Sequence, residues 1–192
     1  MERDVGEHRQ ELLAGLSGRV VEVGAGNGLN FSRYPATTVE VVAVEPEAYL
    51  RRSAERAAVE ANVPVSVRDG VAERLPFADG EFDAAVASLV LCSVPQQGPA
   101  LAELRRVLKP GGELRFFEHV RAASPRKARI QRGLDRSGVW PLFGGGCHCS
   151  RETVAAIEAA GFAVQRVKRL EVGPSWALSN PVVLGVARAG GG

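Results

Sequence analysis

Glycines at positions 24, 26 and 28 punctuate the run Glu22-Val23-Gly24-Ala25-Gly26-Asn27-Gly28, which follows a short apolar stretch. Glycine allows a tight turn there and lets a ligand lie directly against the backbone. A short glycine pattern taken alone also fits a purely structural turn. About 20 residues further on, a second apolar run ends in Glu45, where a carboxylate can accept hydrogen bonds from both hydroxyls of a ribose. Glu45 by itself would equally suit a solvated acid at a helix start. At this spacing the two features together favour a nucleoside bound across strand tips. The pattern is Gly24-x-Gly26-x-Gly28, not G-x-G-x-x-G, and the turn carries no basic side chain. The longer pattern is the one that seats a pyrophosphate on a helix N-terminus. A ligand without a diphosphate is therefore expected, and S-adenosyl-L-methionine is the candidate cofactor.

Transfer of a sulfonium methyl is an in-line displacement with a good leaving group, so positioning dominates the catalysis. A general base matters only if the acceptor is protonated at working pH. A thiol with a pKa of about 8.5 is already partly ionised, whereas an aliphatic hydroxyl needs a base. His119, at the carboxyl end of a β-type run, and His148, after Gly144-Gly145-Gly146, are the catalytic candidates. Each also fits a plainer role, His119 as a strand-end residue bonded to backbone and His148 as a residue that orders its loop. Phe31, Tyr34, Trp140, Phe143 and Trp176 are candidates for an apolar acceptor pocket, and each fits ordinary core as well. Cys92 and Cys147 read as packing or pocket-lining thiols, because direct transfer needs no covalent intermediate. Cys147-His148-Cys149 does not suit a structural zinc ion, since adjacent residues point in different directions and no second Cys/His pair completes a tetrahedron. No metal is expected.

The elements that must hold these residues alternate along the chain. β-type runs fall at residues 19–23, 39–44, 63–67, 82–91, 113–118, 162–170 and 181–187, with helical patterns at 7–16, 46–60, 99–108 and 153–160. Pro46 suits a first helical turn, Lys109-Pro110-Gly111-Gly112 stops the third helix, Ser150 is the expected N-cap of the fourth, and Gly161 closes it. Strands apolar on both faces belong in a sheet covered by helices on each side. The order predicts an α/β fold with an open, mostly parallel sheet. Residues 122–149 have the weakest strand character and read as a helical insertion with a glycine hinge, a lid over the sheet edge within a single domain spanning 1–192.

The 192 residues suffice for one core of this kind. With 45% hydrophobic and 24% charged residues, wholesale disorder is excluded. A net charge of +2 and a pI near 8.6 imply no nucleic-acid partner. The basic run at 121–132 lacks interleaved aromatics and reads as a solvated helix face. No apolar run approaches the roughly 20 residues of a membrane helix, and the charged N-terminus reads as free of a secretory signal. Three cysteines, an odd number, fit a reducing, cytoplasmic compartment.

The motif order resembles a class I S-adenosylmethionine-dependent methyltransferase of the methyltransferase-11 type, a group that includes the quinone-biosynthesis enzymes. The resemblance rests on Val20-Val-Glu-Val-Gly-Ala-Gly-Asn-Gly28, Val42-Ala-Val-Glu-Pro46, Gly70-Val-Ala-Glu-Arg-Leu-Pro-Phe77, Phe82-Asp83 and Glu103-Leu-Arg-Arg-Val-Leu-Lys-Pro-Gly-Gly112. Asn30-Phe31, Tyr34-Pro35, Leu89-Val-Leu-Cys-Ser-Val94, Glu118-His-Val120, Gly146-Cys147, Ser150-Arg-Glu152 and Pro174-Ser-Trp176 are similar to the alkyl thiol methyltransferases within that group. The resemblance implies a three-layer, Rossmann-like fold whose last strand is antiparallel. It implies that Gly24, Ala25 and Gly26 lie under the cofactor, that Asn30 lies near its methionine end, and that Glu45 holds the ribose with Pro46 beside the adenine. Val71 and Ala72 would edge the adenine, and Ser88 and Leu89 would face the sulfonium. Many relatives have Asp where this chain has Val71, so the adenine amino group needs another partner here, and Asp69 would serve only after a register shift. The acceptor implied is a small-molecule thiol. O- or C-methylation of a secondary metabolite or quinone is the alternative, and a non-catalytic cofactor-binding module is the alternative of another class.

Overall fold

The computed structural model describes residues 2–174 and 176–190; the rest of the glycine tail that ends the sequence lies outside these. The strands are β1 (Gly18–Val23), β2 (Thr38–Val44), β3 (Val65–Arg68), β4 (Phe82–Ser88), β5 (Leu108–His119), β6 (Phe162–Glu171) and β7 (Pro181–Ala189). The helices are α1 (Glu2–Leu13), α2 (Ala48–Val59), α3 (Gln97–Val107), α4 (Pro125–Arg136), α5 (Val139–Phe143) and α6 (Thr153–Ala159). All seven strands join one sheet in the order β3-β2-β1-β4-β5-β7-β6. The pairs from β3 across to β5 are parallel, and β7 alone runs against both its neighbours. The expected α/β sheet with a reversed last strand is thus what forms.

The central strands are apolar on both faces because both faces are covered. Val20, Val41, Ala43, Ala84 and Val86 point to one side, where Leu12 and Leu13 of α1 and Ala54 of α2 pack. Val21, Val42, Val44, Ala85 and Ala87 point to the other, against Leu101 and Leu104 of α3 and Ile157 of α6. This is the period-2 alternation of a pleated strand. The outer strand β6 is mostly exposed and carries Arg166, Lys168 and Arg169, charges that discourage edge-to-edge pairing. Among the described residues no helix is long and apolar enough to cross a membrane.

Several boundaries differ from expectation, each for a local reason. The first helix ends at Leu13, before Gly15 takes a positive φ of 76°, although Leu16 is still buried. Pro46 precedes α2 and does not enter its first turn; Glu47 is the N-cap, its carboxylate accepting from the N–H groups of Tyr49 (3.0 Å) and Leu50 (2.7 Å). The fourth strand stops at Ser88, because Leu89 adopts φ 61°. Ser150 does not cap α6: its N–H and hydroxyl both donate to Asp135 on α4, and Glu152 occupies the cap position. The turn at 109–112 falls within β5 as a register shift between the Phe82–Leu108 and Ala84–Glu113 pairs. Within residues 122–149, α4 and α5 form the expected helical portion, and 144–149 is turn and irregular chain.

Gly185 on β7 pairs with Phe116 and Val167, and a Cβ there would lie 2.4 Å from Phe116 Cζ and 2.6 Å from the Arg166 carbonyl oxygen. Backbone cannot yield as a flexible side chain can. Gly185→Ala is expected to cost about 1–3 kcal/mol and to lower the melting temperature by several degrees. An unchanged melt would show that the β5–β7 layer is slack.

Candidate active site

A cavity of about 870 Å³ opens at the carboxyl ends of β1, β2 and β4. Strand order reverses between β1 and β4, so the loops leaving them diverge and leave a crevice, the usual ligand position in open α/β sheets. Its floor is the glycine turn. A side chain on Gly24 (φ 60°) would collide with Val90 Cγ2 at 2.2 Å, whereas one on Gly26 (φ 58°) would meet nothing within 4 Å. The first glycine is there to let two loops touch. The second leaves space above the backbone. Glu45, buried at the end of β2, accepts from the N–H groups of Gly26 (2.8 Å) and Glu47 (3.0 Å). Each carboxylate oxygen thereby uses one acceptor position and retains another.

Beneath this floor lies a polar group that sequence reasoning missed. Glu22, fully within β1, accepts from Tyr34 Oη and Asn30 Nδ2, both at 2.7 Å. Burial pushes its carboxyl up to about 7, against the pull of those donors and of Arg9. Arg9 reaches over from α1 and donates through Nη1 to Asn30 Oδ1 (2.8 Å) and Ser88 Oγ (3.1 Å), while its buried Nε has no hydrogen-bond partner among the described residues. Arg9 and Glu22 both line the cavity. Asn30 does not; it stands one layer behind, holding the two together. Tyr34 and Phe31 are buried in the core under α1, so both are corrected from pocket to scaffold.

The third wall runs from Ser88 to Gln96. Leu89 sits in the left-handed region, a strained conformation for a branched side chain, and its N–H donates to the Phe117 carbonyl at 2.6 Å. The next three N–H groups, of Val90, Leu91 and Cys92, all donate to the buried carboxylate of Glu118, at 3.1, 2.9 and 3.0 Å. Burial raises the Glu118 carboxyl well above its ordinary range, opposed by those N–H groups. Arg151 completes the clamp from the other side, donating to the carbonyls of Leu91 and Val94 at 2.6 Å each. The fourth wall is Val71, Ala72 and Glu73. Asp69 lies outside it, paired with Arg51 at 3.0 Å. Glu73 Oε1 is buried without a hydrogen-bond partner among the described residues.

Of the expected cofactor residues, Gly24, Ala25, Gly26, Glu45, Pro46, Val71, Ala72, Ser88 and Leu89 line this cavity. The expected acceptor aromatics do not. Trp140 is half-buried in α5, and Phe143 and Trp176 are 83% and 82% exposed. Apolar lining comes instead from Leu29, Val90, Val94, Pro95 and Pro99, with Gly145 of the glycine hinge reaching the rim. Neither His119 nor His148 lines the cavity. Arg151 Nη2 lies 3.4 Å from His148 Nδ1, and the His148 N–H donates to the Cys92 carbonyl at 2.7 Å. His119 Nδ1 faces Cys147 Sγ at 3.5 Å and Cys92 Sγ at 3.7 Å. The Cys147 thiol and burial push Cys92 up to about 12, which makes it no nucleophile at neutral pH.

Glu22 ties this site to stability. Its folded value of about 7 lies above the ordinary 4.5, so between those values the folded chain binds a proton that the unfolded chain has released. The contribution is complete below the ordinary value and is lost as pH rises through about 7. Thermal melts of the wild type should therefore fall between roughly pH 5 and pH 8, and Glu22→Gln should flatten that fall relative to wild type. Parallel slopes for the two proteins would place the titration elsewhere.

Comparison with known proteins meets this geometry independently. The family model described as a methyltransferase domain matches residues 21–116. The human thiol S-methyltransferase TMT1A is 36% identical over 191 residues, covering 96% of this chain and 77% of that protein. Among solved structures, geranyl diphosphate methyltransferase in complex with S-adenosylmethionine superposes with a TM-score of 0.72 at 19% identity, over 98% of this chain and 85% of that one. The cyclase SpnF superposes at 0.75 with 21% identity, over 98% and 81%; at such identities the likeness is one of fold. The sequence match covers the very turn, carboxylate and strand tips that build the cavity, and on that agreement the chain belongs to the methyltransferase-domain family, an S-adenosylmethionine-dependent methyltransferase.

Proposed function

We propose that this protein methylates the sulfur of a small, apolar thiol. The observation that carries the proposal is the acceptor side of the cavity, where Val90, Val94, Pro95 and Pro99 stand and no imidazole does. A thiol is the acceptor class that ionises near neutral pH without a positioned base. The name of the human relative supports the same choice. We assign neither His119 nor His148 an obligatory proton transfer.

The residues present suit the cofactor. The cavity volume lies within the range of small-molecule sites, and space stands open above Gly26. Glu45 offers its remaining acceptor positions to the ribose hydroxyls. Glu73, with an orphaned carboxylate oxygen on the wall beside Val71, would take the part of the acid missing at Val71 and accept from the adenine amino group. Arg9, which lines the cavity and has an orphaned Nε, would hold the methionine carboxylate. When bound, S-adenosylmethionine supplies an electrophilic methyl group. The chain contributes orientation, a dry apolar approach for the acceptor, and the rigid 88–96 wall that sets the line of attack. Residues 122–149 act as the lid, through Gly145 at the rim, and the cytoplasmic setting is proposed from the cysteine count alone.

Glu45→Ala is expected to weaken S-adenosylhomocysteine binding about tenfold or more, as befits loss of charge-assisted hydrogen bonds, measured by calorimetry. Glu73→Ala should narrow the preference for the adenosine cofactor over its inosine counterpart. In a panel of alkyl thiols, phenols and enols, S-methyl products should dominate, and His148→Ala should keep thiol turnover within about threefold, since no proton transfer is assigned to it. Turnover confined to phenols or enols would overturn the thiol assignment; cofactor binding without methyl release across the whole panel would indicate a binding module.

A further inference from the structure

Behind the 88–96 wall, three residues far apart in the chain converge. Cys92, His119 and Cys147 bring two sulfurs and one ring nitrogen within 4.8 Å of one another. Both cysteines are buried and His119 is half-buried. We propose that these three side chains form a binding site for a thiophilic divalent cation of the zinc class, with a fourth position left to water or an exogenous ligand. The site is independent of the acceptor's identity.

The two sulfur–nitrogen distances are those the ion would require. A tetrahedral zinc with Zn–S of about 2.3 Å and Zn–N of about 2.0–2.1 Å has S···N edges of about 3.6 Å. The observed S···N separations are 3.5 Å for Cys147 and 3.7 Å for Cys92. Hydrogen bonding accounts for part of this arrangement, since Cys92 Sγ also lies 3.6 Å from Ser93 Oγ, but it leaves the shared ring nitrogen oversubscribed. A neutral imidazole presents a single in-plane position at Nδ1, so one nitrogen can pair with only one of the two thiols that face it. A cation satisfies all three groups at once. Two thiolates and a divalent cation also sum to zero charge, which suits a buried position, and a set of two sulfurs and an imidazole selects zinc over hard cations.

The ligands stand on anchored backbone. His119 ends β5 and pairs with Val182 of β7. The Cys92 N–H is held by Glu118, and the Cys92 carbonyl accepts from His148 N–H at 2.7 Å. The Cys147 N–H donates to the Gly144 carbonyl at 3.1 Å. The ion would therefore fasten the glycine turn, whose Gly145 reaches the cavity rim, to the tips of β4 and β5. Cys149 takes no part; its thiol lies 3.6 Å from Asp135.

The test is titration of the reduced, metal-stripped protein with Co²⁺, followed by displacement with Zn²⁺. One equivalent should bind, with a thiolate-to-cobalt charge-transfer band and the intense visible bands of tetrahedral cobalt, both bleached by zinc. Cys92→Ser, Cys147→Ser and His119→Ala should each weaken binding by about 100-fold or more, given the weight of each ligand in a three-ligand site, and Cys149→Ser should leave the spectrum unchanged. Calorimetry with S-adenosylhomocysteine checks that each variant is folded. Should any variant fail that check, X-ray absorption of the zinc-loaded wild type decides, with two sulfurs and one nitrogen expected from the protein. Weak octahedral bands, a spectrum that survives loss of Cys92 or Cys147, or a Cys92–Cys147 disulfide with no metal uptake after reduction would each overturn the proposal.

Discussion

One buried carboxylate organises the reaction side of this molecule. Glu118, on β5, gathers three successive N–H groups that would otherwise point into the core as the chain leaves β4. A backbone turn of this kind cannot be buried unless its donors are satisfied. Without an acceptor at that place the 89–92 segment would have to rise into water and fill the crevice. With it, the segment lies flat, Leu89 is held in an otherwise unfavourable conformation, and the cavity gains a rigid wall. Arg151 does the complementary work on the carbonyls of Leu91 and Val94, so the loop is held by both of its polar edges.

The other walls obey the same rule, that a polar backbone at a strand tip is tied by a side chain from elsewhere. Glu45 binds the glycine turn to the start of α2. Asp135 on α4 holds the N–H groups of Cys149 (3.2 Å) and Ser150 (2.8 Å), and thereby sets the segment that carries Arg151. Through these links the helical segment at 122–149 is coupled to the crevice without any of its aromatic side chains entering it. Rigidity at the strand tips is what a methyl transfer needs, because the rate depends on alignment more than on proton movement.

Three of the four acidic residues that line the crevice, Glu22, Glu45 and Glu73, have divergent environments. Glu45 keeps free acceptor capacity at the surface of the cavity. Glu22 is sunk below it, with its oxygens occupied by Tyr34 and Asn30 and its carboxyl raised by burial. Glu73 is turned to the wall with an oxygen left over. The same side chain in sequence thus ends in three different states, according to which lone pairs the fold consumes.

Sequence alone was enough for what depends on neighbours in the chain. The alternation of Val41, Val42, Ala43 and Val44 announces a strand covered on both faces; the glycines after β1 announce a tight turn; and Glu45, at its spacing from them, favours a nucleoside across the strand tips. These follow from short-range periodicity and sterics. Only the tertiary structure could bring Arg9 over from α1, place Glu118 under the β4 loop, send Phe31 and Tyr34 into the core, leave Phe143 and Trp176 in solvent, or set Cys92 and Cys147 about one ring nitrogen. Each of these joins elements separated by the winding of the sheet, and which side chains meet is decided when the layers close, by packing and by the demand that every buried donor find an acceptor.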